Sequence, residues 1–210
     1  KPKDIVSGDF YWYGNKNGHK IFAVVDCTGH GVPGAFMSMI GHNILNQVVI
    51  ENGVTEPGKI LNGLNTGVQQ ALKQGQNQVN TNDGMDASMI SVNESTGEVL
   101  WAGAFRPAVI VRADGTLEKI DGNKYSVGGA QMNIERDFTT HKLNLKKKDT
   151  IYLYSDGYAD QFGGEKGKKY MVKRFNDLLC AIHVYGLAEQ QNELERAFEE
   201  WRGNHEQIDD

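Results

Sequence analysis

The chain is short of three things: cysteine, net positive charge and long apolar runs. Its two cysteines, Cys27 and Cys180, lie far apart and follow no Cys-x-x-Cys spacing. That argues against a disulfide framework and fits a reducing compartment. A net charge of -5 and an isoelectric point near 5.7 exclude a nucleic-acid binder with a broad basic face. No apolar segment approaches the roughly 18 to 20 residues needed to span a bilayer, and no signal peptide is visible. Nor is there an internal repeat or a low-complexity tract. What remains is 210 residues of which 39% are hydrophobic, enough for a substantial core, with a mean hydropathy of -0.50 that implies a well-solvated surface. One domain spanning residues 1–210 is the expectation. The chain opens on Lys1-Pro2-Lys3-Asp4 and enters structured sequence almost at once. A cytoplasmic domain excised from a longer protein is therefore expected, with any membrane sensor lying upstream and no membrane contact from this segment.

The most informative stretch is Asp26-Cys27-Thr28-Gly29-His30-Gly31-Val32-Pro33-Gly34. It follows the apolar run Ile21 to Val25, which reads as a buried strand. It precedes a helical pattern with Pro33 near the first helical position. A carboxylate at a strand end thus stands beside a glycine-rich turn and a helix start. Upstream, Asp9 to Tyr13 and Lys20 to Val25 flank the turn signal Asn17-Gly18, predicting a hairpin whose ends bring Asp9 and Asp26 together. Apolar residues at Phe36, Met37, Ile40, Ile44, Leu45 and Val48 keep helical spacing up to Asn52-Gly53. A second helix is expected from about Thr55 to Pro57, burying Ile60, Leu61, Leu64, Val68 and Leu72. Residues 75–83 are polar and read as a loop.

From Met85 the texture turns to short strands: 87–92, 99–102, 108–112, 116–120, 138–145 and 150–154. Helical spacing returns at 170–182 and 187–201. Helix pair, antiparallel strands, helix pair implies an α+β fold, a central antiparallel β-sandwich flanked by helix pairs.

Four acidic positions stand beside turns or strand ends: Asp9, Asp26, Asp156 and the Asp209-Asp210 pair. Oxygen donors with few competing His or Cys partners suit hard cations such as Mg²⁺ or Mn²⁺. Two such ions about 3.5 to 4 Å apart can activate water and stabilise both ends of an in-line phosphoryl displacement. Any one of these aspartates taken singly is more often a turn cap; the combination is what carries weight.

Ser7-Gly8-Asp9-Phe10-Tyr11, Asp26-x-Thr28-Gly29-His30-Gly31-Val32-Pro33, Tyr154-Ser155-Asp156-Gly157 and Gln207-Ile208-Asp209-Asp210 resemble, in order, the motifs of SpoIIE/RsbU-type phosphatases. These belong to the metal-dependent PPM (protein phosphatase 2C-like) class of serine/threonine phosphatases. Gly84-Met85-Asp86-Ala87 and the stretch Leu100 to Pro107 are similar to intermediate landmarks, and Asp160 to Gly164 looks most like the sensor-fused SiaA type. The resemblance implies two Mn²⁺ or Mg²⁺ ions. Asp26 would bridge them, the Cys27 carbonyl would be a further ligand, Asp156 and Asp209 would complete one ion, with Asp210 a further candidate ligand, and Asp9 would serve the other directly or through water. It implies attack of a metal-bound hydroxide on phosphoserine or phosphothreonine. The implied substrate is a small phosphorylated bacterial regulator of the partner-switching, anti-anti-sigma-like kind, and a homodimer is compatible.

The chain departs from the pattern in three places. Ala104 stands where many relatives have His and cannot ligate a third metal. No phosphate-holding Arg precedes Asp9. The family continues into a closing strand beyond the position of Asp210, so the terminal aspartates are expected to fray. His30 is a candidate general acid, weighed against a histidine hydrogen-bonded at a helix start. The Cys27 thiol lacks the downstream Arg of a cysteine phosphatase. The 163–169 stretch, with three glycines and three lysines, reads either as a mobile substrate-attracting loop or as a solvated connector. Arg106 is a candidate phosphate contact or a plain surface charge.

Two other functions are weighed. Gly29-His30-Gly31-Val32-Pro33-Gly34 matches G-x-G-x-x-G, a dinucleotide fingerprint, but the chain does not alternate strand and helix as that fold requires. A catalytically weak PPM-like binding domain is the second alternative; it has no chemical need to keep all four aspartate positions.

Overall fold

The computed structural model describes residues 2–74, 82–129 and 136–210, so most of the polar stretch read as a loop after Leu72 lies outside the described residues. In chain order the elements begin with β1 (Phe10–Lys16), β2 (His19–Cys27), α1 (Gly31–Leu45) running into a π-helical turn (Asn46–Glu51), and α2 (Pro57–Ala71). Then come β3 (Gly84–Asn93), β4 (Val99–Ala104), β5 (Ala108–Val111), β6 (Leu117–Ile120), β7 (Val127–Gly128), β8 (His141–Leu143) and β9 (Thr150–Tyr152). The chain closes with α3 (Gly157–Asp160), β10 (Phe162–Gly163), β11 (Lys168–Lys169), α4 (Val172–Ile182) and α5 (Leu187–Arg202).

The β1–β2 hairpin forms as its turn signal predicts. Asn17 and Gly18 take φ of 51° and 72°, and Lys16 pairs with His19 across a two-residue turn. This is the left-handed pair that Asn-Gly tolerates and that matches strand twist. The first sheet runs β1-β2-β3-β4-β8, with β7 paired to β3; the second runs β6-β5-β9. All these strand pairs are antiparallel.

Period-two alternation assigns each strand face to a layer. On the first sheet, Ile21, Ala23, Val25, Met85, Ala87 and Met89 pack with Leu45, Ile60, Leu61, Leu64 and Val68 of α1 and α2. The last four are fully buried, each worth roughly 1.5–3 kcal/mol of transfer free energy. The opposite face carries Val99 and Trp101, which meet Ala108 and Ile110 of the second sheet. Trp101 Nε1 donates to Ser88 Oγ at 2.9 Å, which satisfies both polar groups inside this layer. Val109 and Val111, the alternate residues of β5, face Phe175, Leu179 and Ile182 of α4. The order is therefore helix pair, sheet, sheet, helix pair. An antiparallel sandwich of this kind is incompatible with a doubly wound dinucleotide fold. Among the described residues no helix is long and apolar enough to cross a membrane.

Three local expectations are corrected. Phe36, placed on the helical apolar pattern, is 63% exposed. The strand expected over 138–145 shortens to His141–Leu143, and Phe138 leaves it to join the α1–α2 core. The glycine- and lysine-rich stretch after Phe162 is a closed hairpin, β10 with β11. Gly164 N–H donates to Trp201 O at 2.8 Å, and Lys169 pairs with Asp160 at 2.7 Å.

Candidate active site

The acidic residues converge at one end of the sandwich. Asp26, near the end of β2, lies directly opposite Asp86 of β3. Their neighbours Val25, Cys27, Met85 and Ala87 face the helices, so by alternation both aspartates face the second sheet. Asp9 immediately precedes β1, whose Phe10 pairs with Val25. Asp156 follows β9 at the start of α3. The 206–210 tail returns to the same place, held where Gln161 Nε2 donates to Glu206 O at 2.8 Å.

Close backbone approach explains the glycines. A Cβ on Gly8 or on Gly34 would lie 2.4 Å from Gly29 O, and Gly29 itself takes φ of 85°. The Gly29-to-Gly34 spacing thus lets the turn after Asp26, the start of α1 and the strand entry before Asp9 pack backbone to backbone. Gly157 serves the tail likewise, since a Cβ there would stand 2.1 Å from Asp210 O.

Burial dominates the electrostatics, and crowding of like charge adds to it. Burial pushes Asp26 up to about 8; Arg106 opposes the rise, and Asp9, Asp156 and Asp86 reinforce it. Burial pushes Asp9 up to about 6, resisted by a hydrogen bond from Ser155 and increased by Asp209, Asp210 and Asp156. Asp86 rises through burial, against a hydrogen bond from Ser126 Oγ and the Arg106 charge. Asp209 also rises through burial, against the Asp210 N–H that it accepts.

One cation stands among them. Arg106 Nη2 lies 2.6 Å from both Asp26 Oδ2 and Asp156 Oδ2 and 3.4 Å from Asp86 Oδ2. It donates a hydrogen bond to Asp156, yet Asp26 Oδ2 is a buried acceptor without an aligned donor. The Asp26 contact is therefore ionic but poorly directed. Arg106 is thus neither a surface charge nor free. Its backbone is set by a tight turn, with Phe105 at φ 62° and Arg106 N–H donating to Ala104 O at 2.7 Å.

The other sequence candidates fall on either side of this cluster. His30 is the N-cap residue of α1 and is exposed; its Nδ1 contacts Asp4 Oδ2 at 2.8 Å and its Nε2 contacts Lys3 Nζ at 3.1 Å. It is thereby engaged with the N-terminal segment. Asp210 accepts the Lys3 N–H at 2.8 Å and the Gly8 N–H at 2.6 Å, one on each carboxylate oxygen. That anchors the tail expected to fray and leaves Asp210 tying the termini together. Burial drives the Cys27 thiol well above its ordinary value, with Asp9 and Asp26 adding to the rise. A nucleophilic thiolate is therefore excluded there. The sequence assigned Asp86 no role and left Arg106 as either a phosphate contact or a surface charge. The signal for Asp86 was the Gly84-Met85-Asp86-Ala87 landmark, since its pairing with Asp26 joins strands separated by two helices; Arg106 had no local signal.

Among the described residues no three His, Cys, Asp or Glu side chains are arranged to hold a metal ion as they stand. The chemistry of the donor set nevertheless fits a hard divalent cation. All the donors are oxygens, Asp26 Oδ2 is buried and undirected, and Asp26 and Asp9 are pushed up first by burial and then by the neighbouring carboxylates.

Comparison with known proteins agrees with this geometry. Residues 16–210 match the family described as Stage II sporulation protein E (SpoIIE). The SiaA-PP2C domain of Pseudomonas aeruginosa superposes with a TM-score of 0.88 at 30% identity, covering 100% of this chain and 80% of that one. The PP2C phosphatase domain of SpoIIE from Bacillus subtilis, solved with a fragment of its regulatory domain, gives 0.71 at 16% identity, covering 98% of this chain and 56% of that one. RsbX in complex with magnesium gives 0.62 at 14% identity, covering 96% and 83%. A search of curated proteins finds no match. The chain belongs to the SpoIIE family, as a phosphatase domain of the PP2C (PPM) class.

Proposed function

We propose that the domain is a Mn²⁺- or Mg²⁺-dependent protein serine/threonine phosphatase whose substrate is a small phosphorylated regulatory protein. The observation that carries this is the set of half-buried, mutually repelling aspartates around Asp26, with an undirected oxygen at its centre. Such a set is costly without added positive charge. The magnesium bound by RsbX, which shares this fold, supports a divalent ion. Asp26, the Cys27 carbonyl, Asp156, Asp209 and Asp9 would hold two ions. Bound there, they supply Lewis-acid activation of water and neutralisation of phosphoryl charge.

The chain's own groups set the rest. The sandwich fixes Asp26 and Asp86 on adjacent paired strands, so their spacing is rigid. Asp210 clamps the tail to the Gly8 and Lys3 N–H groups, which keeps Asp209 beside Asp156. Arg106 presents a guanidinium within reach of Asp26 and Asp156, and its planar fork suits the oxygens of a phosphoryl group. Its partner-switching class of substrate rests on the family alone.

Hydrolysis of a generic aryl phosphate, and of phosphoserine and phosphotyrosine peptides, tests the reading with Mn²⁺, with EDTA and in Asp26→Ala. The expected result is turnover that chelation and the substitution each abolish, with phosphoserine preferred over phosphotyrosine. Activity surviving both treatments contradicts the metal mechanism; a folded protein inactive on every substrate favours a binding-only domain.

A further inference from the structure

A cleft of about 500 Å³ opens beside the aspartates. Asp26 and Asp86 line part of it, and Phe105, Lys124, Tyr125 and Arg136 are among the residues that line the rest. That volume falls in the range of a drug-sized ligand site and exceeds what a phosphoryl group alone would fill. Its charge is divided: carboxylates belong to the catalytic cluster, and two cations belong to the segments after β6 and before β8.

The two cations differ in kind. Arg136 is built in: its Nη1 donates to Ser126 O at 2.7 Å and to Gly128 O, while its Nε is buried with no partner. Those bonds fix the 126–128 backbone, and Ser126 Oγ in turn reaches Asp86. Lys124 is exposed on the same wall, and no hydrogen bond or ion pair engages its side chain among the described residues. Phe105, 59% exposed, is held out by its left-handed backbone. Gly84, Gly128 and Gly129 add bare backbone, and a Cβ on Gly129 would meet only Asn82 O at 3.6 Å. An aromatic edge, a glycine floor and an unpaired lysine make a seat for a stretch of polypeptide.

We propose that this cleft receives the residues flanking the phosphorylated side chain of the substrate protein, and that Lys124, beside the fixed Arg136, selects an acidic side chain there. The inference rests on the phosphatase reading above and names the substrate feature that this site prefers. An acidic flank is favoured by Lys124 and Arg136. A basic flank meets unpaired positive charge, and its attraction to the Asp26 cluster is removed once divalent ions are held there.

The test uses two phosphoserine peptides that differ only in carrying Asp or Lys beside the phosphoserine, with wild type and Lys124→Glu. Turnover with Mn²⁺ is read as kcat/KM relative to an aryl phosphate, and peptide binding by fluorescence anisotropy. Wild type should favour the acidic peptide by roughly tenfold, about 1.4 kcal/mol of discrimination, and Lys124→Glu should erase or reverse that ratio in both readouts. Equal handling of the two peptides by wild type, or the same ratio in Lys124→Glu, overturns the subsite. Discrimination in anisotropy without turnover of any substrate would uphold the cleft and overturn the phosphatase reading instead. A Lys124→Glu loss equal on both peptides and on aryl phosphate would place Lys124 at the phosphate and also overturn the subsite.

Discussion

Replacing Arg106 with alanine should lower the domain's stability in EDTA while tightening its hold on Mn²⁺. The guanidinium touches Asp26 and Asp156 at 2.6 Å and Asp86 at 3.4 Å, with Arg106 and Asp26 side chains each 17% exposed. At an effective dielectric near 20, one pair of unit charges about 4 Å apart attracts by ~4 kcal/mol. Desolvation of the arginine and of the carboxylates offsets much of that. Removing one partner from a buried pair costs ~3–5 kcal/mol, and the lower end applies here because Asp156 is 37% exposed. A loss of ~3 kcal/mol in a domain of this size lowers Tm by about 6–12 °C. Divalent ions compete with the guanidinium for the same oxygens, so the Tm rise produced by saturating Mn²⁺ should be larger in the variant than in wild type. Phosphatase turnover should fall all the same, because the group suited to the phosphoryl oxygens is gone. Scanning calorimetry with EDTA and with Mn²⁺ decides the matter. An unchanged Tm in EDTA, or a loss of Mn²⁺ stabilisation in the variant, refutes the reasoning.

The remaining predictions concern protons, thiols and packing. In EDTA, thermal stability should fall as pH rises from about 4 to about 8: Asp26 and Asp9 hold protons in the folded protein up to about 8 and about 6, above the ordinary 3.8, so the folded state binds more protons throughout that window. Mn²⁺ affinity should rise over the same pH range as those protons leave, which calorimetric titrations at pH 6 and pH 8 would show; affinity independent of pH contradicts it. The Cys27 thiol, buried and driven upward by burial, should stay unlabelled by thiol reagents at pH 8 until the domain unfolds. Gly163→Ala should destabilise the β10–β11 hairpin by about 1–3 kcal/mol, seen as a lower Tm, because its Cβ would fall 1.9 Å from Trp201 O.

The layers were legible because the chain is locally consistent. Asn17-Gly18 fixed one hairpin, and Ile60, Leu61, Leu64 and Val68 kept one helical face that the structure buries completely. Asp9 and Asp26 were brought together by that hairpin alone. Phe36 misled because helical spacing states which residues share a face, not what covers it. Two-residue strands such as β7, β10 and β11 have no period to detect. Arg106 was illegible for a deeper reason. It joins Asp26, Asp86 and Asp156 from positions 80, 20 and 50 residues away, and only the packing of the two sheets brings them together. His30 sits in the most informative stretch, yet the helix start turns it to Asp4 and Lys3.

The central claim is that the aspartates around Asp26 form a divalent-metal centre, and direct Mn²⁺ titration by calorimetry at pH 8 tests it most plainly. The account predicts two ions bound per chain in wild type and binding abolished in Asp26→Asn, with the variant still folded by circular dichroism. Binding that Asp26→Asn leaves unchanged, or no binding at millimolar Mn²⁺ in wild type, would contradict it.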